Sequence, residues 1–128
     1  LEEKIFNIFL DKNFLYGPFK NIIADKQIWL KRIKYFTNQD KPVEFTIHGF
    51  PFKIPCTLKT NRAYPDLGEV LAVLKLASII QSIKQVYKPG ANITIIGEGA
   101  FAKFVGVNKS DWVAYKNCLK KIKLNMLF

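Results

Sequence analysis

The chain has 128 residues, of which 49% are hydrophobic and 23% are charged. This length and composition predict one folded domain over residues 1–128 and exclude a disordered chain. The 20 basic and 10 acidic residues give a formal net charge of +10. A positive charge of this size favours an anionic partner, which leaves nucleic acid, a membrane surface and a phosphorylated small molecule as alternatives.

The composition gives little support to a metal site or a membrane segment. The chain has two cysteines, Cys56 and Cys118, and one histidine, His48, whereas a structural zinc site uses four ligands of these types. We expect both cysteines to be reduced, packed thiols of a cytoplasmic protein. No uninterrupted run of about 18 apolar residues occurs, so we expect no membrane span.

Helical periodicity recurs along the chain, in residues 2–12, 25–37, 67–87 and about 110–123. Residues 43–48 alternate apolar and polar side chains, which predicts a half-buried strand. Residues 92–97 are apolar and rich in β-branched side chains, which predicts a buried strand. Residues 101–107 are the candidate for a third strand. The connection 49–65 is long and irregular, as functional loops often are.

The alternation of these helices and strands predicts an α/β fold. We expect a Rossmann-like three-layer domain with a short, mostly parallel sheet. Two clear strands make an incomplete sheet, because sheets usually contain more. An exposed sheet edge would favour a homodimer.

A capping box stands at the start of the third predicted helix. Asp66 is expected to accept the backbone N–H of residue 69, while the Glu69 side chain reaches back to Asp66. Gly68 is unexpected, since glycine is unfavourable within a helix and a plain cap does not require it. Two interpretations remain open, namely a structural cap alone or a helix start that holds an anion.

Two further groups of residues are candidates for a ligand site. Residues 97–102 fit the pattern G-x-G-x-x-A, but no second strand ending in an acid follows, so nicotinamide binding is disfavoured. Glu98 in this segment follows a strand, where open α/β sheets bind ligands; the alternative is an exposed turn acid. Lys53, Lys59 and Arg62 could hold a phosphate near the helix start, or they could be solvated loop charges.

Several motifs occur in an order that resembles the isocyanide (isonitrile) synthase family, also called the pyoverdine/dityrosine biosynthesis family. They are Phe50-Pro51-Phe52-Lys53, Pro65-Asp66-Leu67-Gly68-Glu69, Tyr87-Lys88-Pro89-Gly90-Ala91, Glu98-Gly99, Gly106-Val107 and Tyr115. The resemblance covers roughly residues 42–120 and corresponds to the N-terminal half of a longer enzyme. The chain departs from the family pattern at Ile54-Pro55-Cys56, and at Glu98, where the family usually has aspartate.

The resemblance implies conversion of the α-amino group of an aromatic amino acid to an isonitrile in secondary metabolism. Ribulose 5-phosphate would supply the carbon, with no metal or redox cofactor. In this interpretation Asp66 and Glu98 transfer protons, and Lys53 contacts the sugar phosphate or a developing oxyanion. The substrate-binding residues would be Gly68, Glu69, Lys59, Arg62 and Gly99.

Two other functions are weighed against this one. The first is a non-catalytic module that binds a phosphorylated metabolite, which the short length and the altered Ile54-Pro55-Cys56 segment favour. The second is a basic nucleic-acid-binding domain, suggested by the net charge and the lysine-rich last helix. The nucleic-acid function is less favoured, because no nucleic-acid-binding motif is present.

Overall fold

The computed structural model describes residues 1–11, 25–50, 64–97 and 99–126. Within these ranges it has α-helices α1 (Glu2–Phe9), α2 (Lys26–Thr37), α3 (Leu67–Val86) and α4 (Lys109–Met126), strands β1 (Val43–His48) and β2 (Ala91–Ile96), and a 3-10 helix (Gly99–Val105). The predicted helices and the two clear strands are therefore confirmed, with boundaries that differ from the prediction by at most three residues. None of the helices in the described ranges has the length and apolar character needed to cross a bilayer.

The two strands form a parallel, two-stranded open sheet. The Val43 N–H donates to the Gly90 carbonyl at 3.0 Å, and the Gly49 N–H donates to the Ile96 carbonyl at 3.2 Å. Donor and acceptor both advance by six residues between these bonds, so the strands run in the same direction. The predicted α/β class and short parallel sheet are confirmed, while the three-layer Rossmann-like arrangement stays a prediction.

The chain divides into two compact units, of which the first comprises Leu1–Phe45 and Ser78–Ile93. In this unit α1 packs against α2, with the apolar side chains of Ile5, Phe6 and Ile33 fully buried. The Thr37 hydroxyl donates to the Glu2 carboxylate at 2.7 Å, which joins the two helices a second time.

The second unit comprises Thr46–Ala77 and Thr94–Phe128. Here the 3-10 helix packs against α4, and Ala102 and Tyr115 are buried. Cys118 is a free, half-buried thiol, whereas Cys56 lies outside the described residues.

The expected third strand at residues 101–107 is wrong, because this segment forms the 3-10 helix and the turn after it. Phe101 and Phe104 are three residues apart, and their ring centroids lie 6.4 Å from each other. In a 3-10 helix, side chains at this spacing point the same way, whereas in a strand they would point to opposite faces. The Val107 N–H then bonds to the Ala102 carbonyl at 2.9 Å, which closes the turn locally.

Candidate functional site

The start of α3 carries the best-defined polar cluster among the candidate residues. Asp66 directly precedes the helix, and its Oδ1 accepts the Gly68 backbone N–H at 2.8 Å. The Asp66 N–H in turn donates to Glu69 Oε2 at 2.8 Å. The reciprocal cap predicted from the sequence is therefore present, although the described donor to Asp66 Oδ1 is the N–H of residue 68 rather than that of residue 69.

Gly68 has a structural reason to be glycine. A Cβ added at this position would lie 3.2 Å from Asp66 Oδ1, which is closer than an ordinary van der Waals contact. The missing side chain lets the carboxylate sit directly over the first turn of the helix. Gly68 itself lies in an exposed position.

Tyr115 of α4 completes the cluster from 46 residues further along the chain. Its hydroxyl donates to Glu69 Oε1 at 3.1 Å, and its side chain is only 2% exposed. Burial raises the pKa of Tyr115 well above its ordinary value of 10.0, and the neighbouring carboxylates of Glu69 and Asp66 raise it further. The phenol therefore stays protonated and remains a hydrogen-bond donor across the neutral pH range.

The two carboxylates consequently have different surroundings. Both oxygens of Glu69 accept a hydrogen bond, one from the Asp66 backbone and one from the Tyr115 hydroxyl. Asp66 Oδ1 accepts a hydrogen bond from the Gly68 N–H, and Asp66 is exposed. Glu69 therefore links the residue that precedes α3 to Tyr115 of α4.

The carboxyl ends of β1 and β2 lie side by side, because the strands are parallel. Gly49 extends the ladder by one residue beyond β1, and Phe50 follows with a φ of 53°. A left-handed backbone is rare for a bulky residue, and such strain concentrates at functional sites. A Cβ added at Gly97, just after β2, would lie 3.6 Å from the Phe50 carbonyl oxygen. This edge of the sheet is where open α/β folds bind ligands.

The structure thus brings together three of the predicted site residues, Asp66, Gly68 and Glu69. Gly99 is the first residue of the 3-10 helix. Lys53, Lys59, Arg62 and Glu98 lie outside the described residues, so their roles stay predictions. Sequence reasoning gave Tyr115 no role, although the tyrosine was noted as one of the recurring motifs.

Comparison with known proteins places the chain in a family. Residues 33–127 match the pyoverdine/dityrosine biosynthesis protein family. Because the match covers well over half of the chain, the chain belongs to this family. The resemblance inferred from the sequence motifs is confirmed.

Two curated relatives are isonitrile synthases by name. The L-tryptophan isonitrile synthase AmbI2 of Fischerella ambigua is 32% identical over 98 residues, which cover 76% of this chain and 30% of that protein. The L-tyrosine isonitrile synthase of Xenorhabdus nematophila is 33% identical over 97 residues, which cover 75% of this chain and 29% of that protein. The chain therefore spans less than a third of the length of these relatives.

A solved structure shares the fold. The crystal structure of the PvcA protein from Pseudomonas aeruginosa matches with a TM-score of 0.87 and 27% sequence identity. The match covers 98% of this chain and 41% of the PvcA chain. The chain therefore has the fold of one part of that larger protein.

Proposed function

We propose that this chain forms part of an isonitrile synthase, which converts the α-amino group of an aromatic amino acid to an isonitrile. The observation that carries the proposal is the match of residues 33–127 to a family with tryptophan and tyrosine isonitrile synthases among its members. The cluster at the start of α3 supports it, because the reaction requires positioned acid and base groups.

We further propose that ribulose 5-phosphate supplies the isonitrile carbon. The amine of the amino acid would attack the ketone of the sugar, and loss of one water molecule would give an imine. Both carbon–carbon bonds of the former ketone carbon must then break, because an isonitrile carbon is bonded only to nitrogen. The other sugar carbons leave as separate fragments, and proton transfers at these carbons must accompany the cleavages. Each transfer needs a group that can both accept and return a proton near neutral pH.

In this scheme Asp66 and Glu98 are the two proposed proton-transfer groups, and Asp66 is the one that lies within the described residues. Glu69 and Gly68 shape the helix start, where backbone N–H groups favour an anion. Lys53, Lys59 and Arg62 are proposed to hold the phosphate, and Gly99 to line the substrate. The net charge of +10 is consistent with a phosphorylated substrate, because it attracts anions.

A thermal-shift titration at low salt tests the binding part of the proposal. Ribulose 5-phosphate is compared with equal concentrations of inorganic phosphate and of ribose, with and without tyrosine or tryptophan. A ligand that binds only the folded protein raises the melting temperature. We expect a shift with ribulose 5-phosphate that phosphate and ribose do not reproduce. Equal shifts with ribulose 5-phosphate and inorganic phosphate would contradict a specific sugar-phosphate site.

The Asp66→Asn variant tests the catalytic part. Asparagine caps a helix about as well as aspartate, so the bond to Gly68 can persist while the proton-transfer group is lost. Isonitrile product, measured by mass spectrometry, should fall by two orders of magnitude or more, as is common when a general acid–base group is removed. Asp25→Asn is the matched control, because Asp25 precedes α2 and makes no side-chain cap bond. In a full-length version of the enzyme, wild-type amounts of product from both variants would remove Asp66 from the mechanism, as would an active double amide variant of Asp66 and Glu98.

A further inference from the structure

One face of α3 carries an exposed apolar stripe. Leu67, Leu71 and Leu74 are 69%, 52% and 46% exposed. Their spacing of four and then three residues places them in one line along the helix. This spacing is that of the apolar seam between two packed helices.

The stripe lies opposite the face by which α3 is buried. Val73 and Ile83 are buried, and with 3.6 residues per turn they lie more than a quarter turn away from the leucine stripe, towards the far side of the helix. The first half of α3 therefore has apolar side chains on two opposite faces. A helix that is hydrophobic all round is normally covered on every side.

The same line along α3 changes character after Leu74. Its next positions are Ser78, Gln81 and Gln85, all of which are exposed. Polar residues are what an uncovered helix face usually presents. The change shows that the leucines are confined to one end of the helix, as expected if a partner covers that end only.

The 3-10 helix in the same compact unit also exposes large apolar side chains. Phe104 is 82% exposed, and Phe101 and Val105 are more than half exposed. Contiguous apolar surface of this kind usually marks an interaction site. The exposed leucines of α3 are thus not an isolated feature of the second unit.

The relatives indicate what covers these residues. This chain aligns over almost its whole length with PvcA, yet it accounts for only 41% of the PvcA chain. The family fold therefore contains polypeptide beyond the part described here. A second copy of this chain is a less suitable occupant, because two chains of net charge +10 repel each other.

We propose that the leucine stripe of α3, defined by Leu67, Leu71 and Leu74, is the docking surface for the remaining part of the family fold. The occupant is a polypeptide that presents an apolar helix along the stripe. This proposal concerns assembly, and it stands whether or not the chain takes part in isonitrile synthesis.

Coexpression tests the proposal, with the residues of PvcA that this chain does not match as the probe. The tagged 128-residue chain is purified, and the copurified probe is identified and quantified. The Leu71→Asp variant should retain at most about a tenth of the wild-type affinity for the probe, because docking would bury an unpaired charge. Ser78→Asp is the matched control, since it places the same side chain on the same face beyond the stripe, and it should bind as the wild type does.

Urea unfolding of the chain alone gives a second, independent measurement. Because Leu71 is already half exposed, Leu71→Asp should lower the unfolding midpoint only slightly more than Ser78→Asp does. A much lower midpoint for Leu71→Asp would mean that the leucine belongs to the chain's own core, and the proposal would be wrong. Failure of the wild-type chain to retain the probe would also overturn it. So would a wild-type dimer in sedimentation equilibrium that Leu71→Asp dissociates, since the stripe would then serve a second copy.

Discussion

Replacing Tyr115 with phenylalanine removes one hydroxyl and keeps the buried ring. The lost interaction is the 3.1 Å bond to Glu69 Oε1, in which the acceptor is a carboxylate. Hydrogen bonds to charged groups contribute about 1.5–3 kcal/mol to stability. We therefore expect Tyr115→Phe to lower the free energy of unfolding by about 2 kcal/mol, measured by urea denaturation at pH 7.

Tyr87→Phe provides a matched control within the same chain. Tyr87 is also buried, and its hydroxyl donates to the backbone carbonyl of Lys41 at 2.9 Å. The acceptor is neutral in this case, so the loss should be smaller than at Tyr115. An equal or larger loss for Tyr87→Phe would refute the claim that the charge of Glu69 strengthens the Tyr115 bond.

The pH dependence of stability gives the second part of this test. The pKa of Tyr115 is raised above its ordinary value of 10.0 in the folded protein, whereas an unfolded chain titrates near the ordinary value. The contribution of Tyr115 to stability is thus fully present below about pH 10 and is lost as the pH rises towards the folded pKa. The difference between wild type and Tyr115→Phe should narrow above pH 10. A difference that stays constant up to pH 11 would contradict the proposed coupling.

The remaining predictions concern the two helix starts. Gly68→Ala should fail to give the stabilisation of about 1 kcal/mol expected from helix propensity, because its Cβ would crowd Asp66 Oδ1. In an Asp66→Ala background the same change should stabilise the protein. Urea denaturation of the wild type, the two single variants and the double variant measures both effects. Asp66→Asn should keep the free energy of unfolding within about 0.5 kcal/mol of wild type while Asp66→Ala costs about 1 kcal/mol, and equal losses would argue against the cap bond. The Thr37 hydroxyl lowers the pKa of Glu2. The stability that Glu2 contributes above about pH 4.5 should therefore be lost as the pH drops through the pKa of Glu2 in the folded protein. In Thr37→Val the melting temperature should fall less steeply between pH 6 and pH 3 than in the wild type. The same pH dependence in both proteins would show that the bond does not contribute.

Most of the secondary structure follows from local patterns along the chain. The alternation in residues 43–48 predicts β1, and the long periodic segment 67–87 predicts α3, because each period matches the geometry of its element. The capping box was visible for the same reason, since Asp66 and Glu69 satisfy backbone groups of the helix that they begin. The family was recognisable because several motifs occur in a fixed order.

Structural features that have only a weak local pattern, or that depend on distant residues, were not predicted correctly. Residues 101–107 are apolar enough for a strand, and only the packing of the 3-10 helix on α4 shows that they form a turn-like helix instead. The segment 67–87 is apolar along most of its length. In the structure it divides into a buried face and an exposed leucine stripe, because apolarity alone does not show what is available to cover a side chain.

The amino-acid sequence by itself determined the elements, the cap at Asp66 and membership of the family, since these depend on neighbouring residues or on motif order. Tertiary structure alone decided that Tyr115 binds Glu69, across 46 residues of chain. That contact requires α4 to bring a buried phenol to the start of α3, and no local periodicity records it.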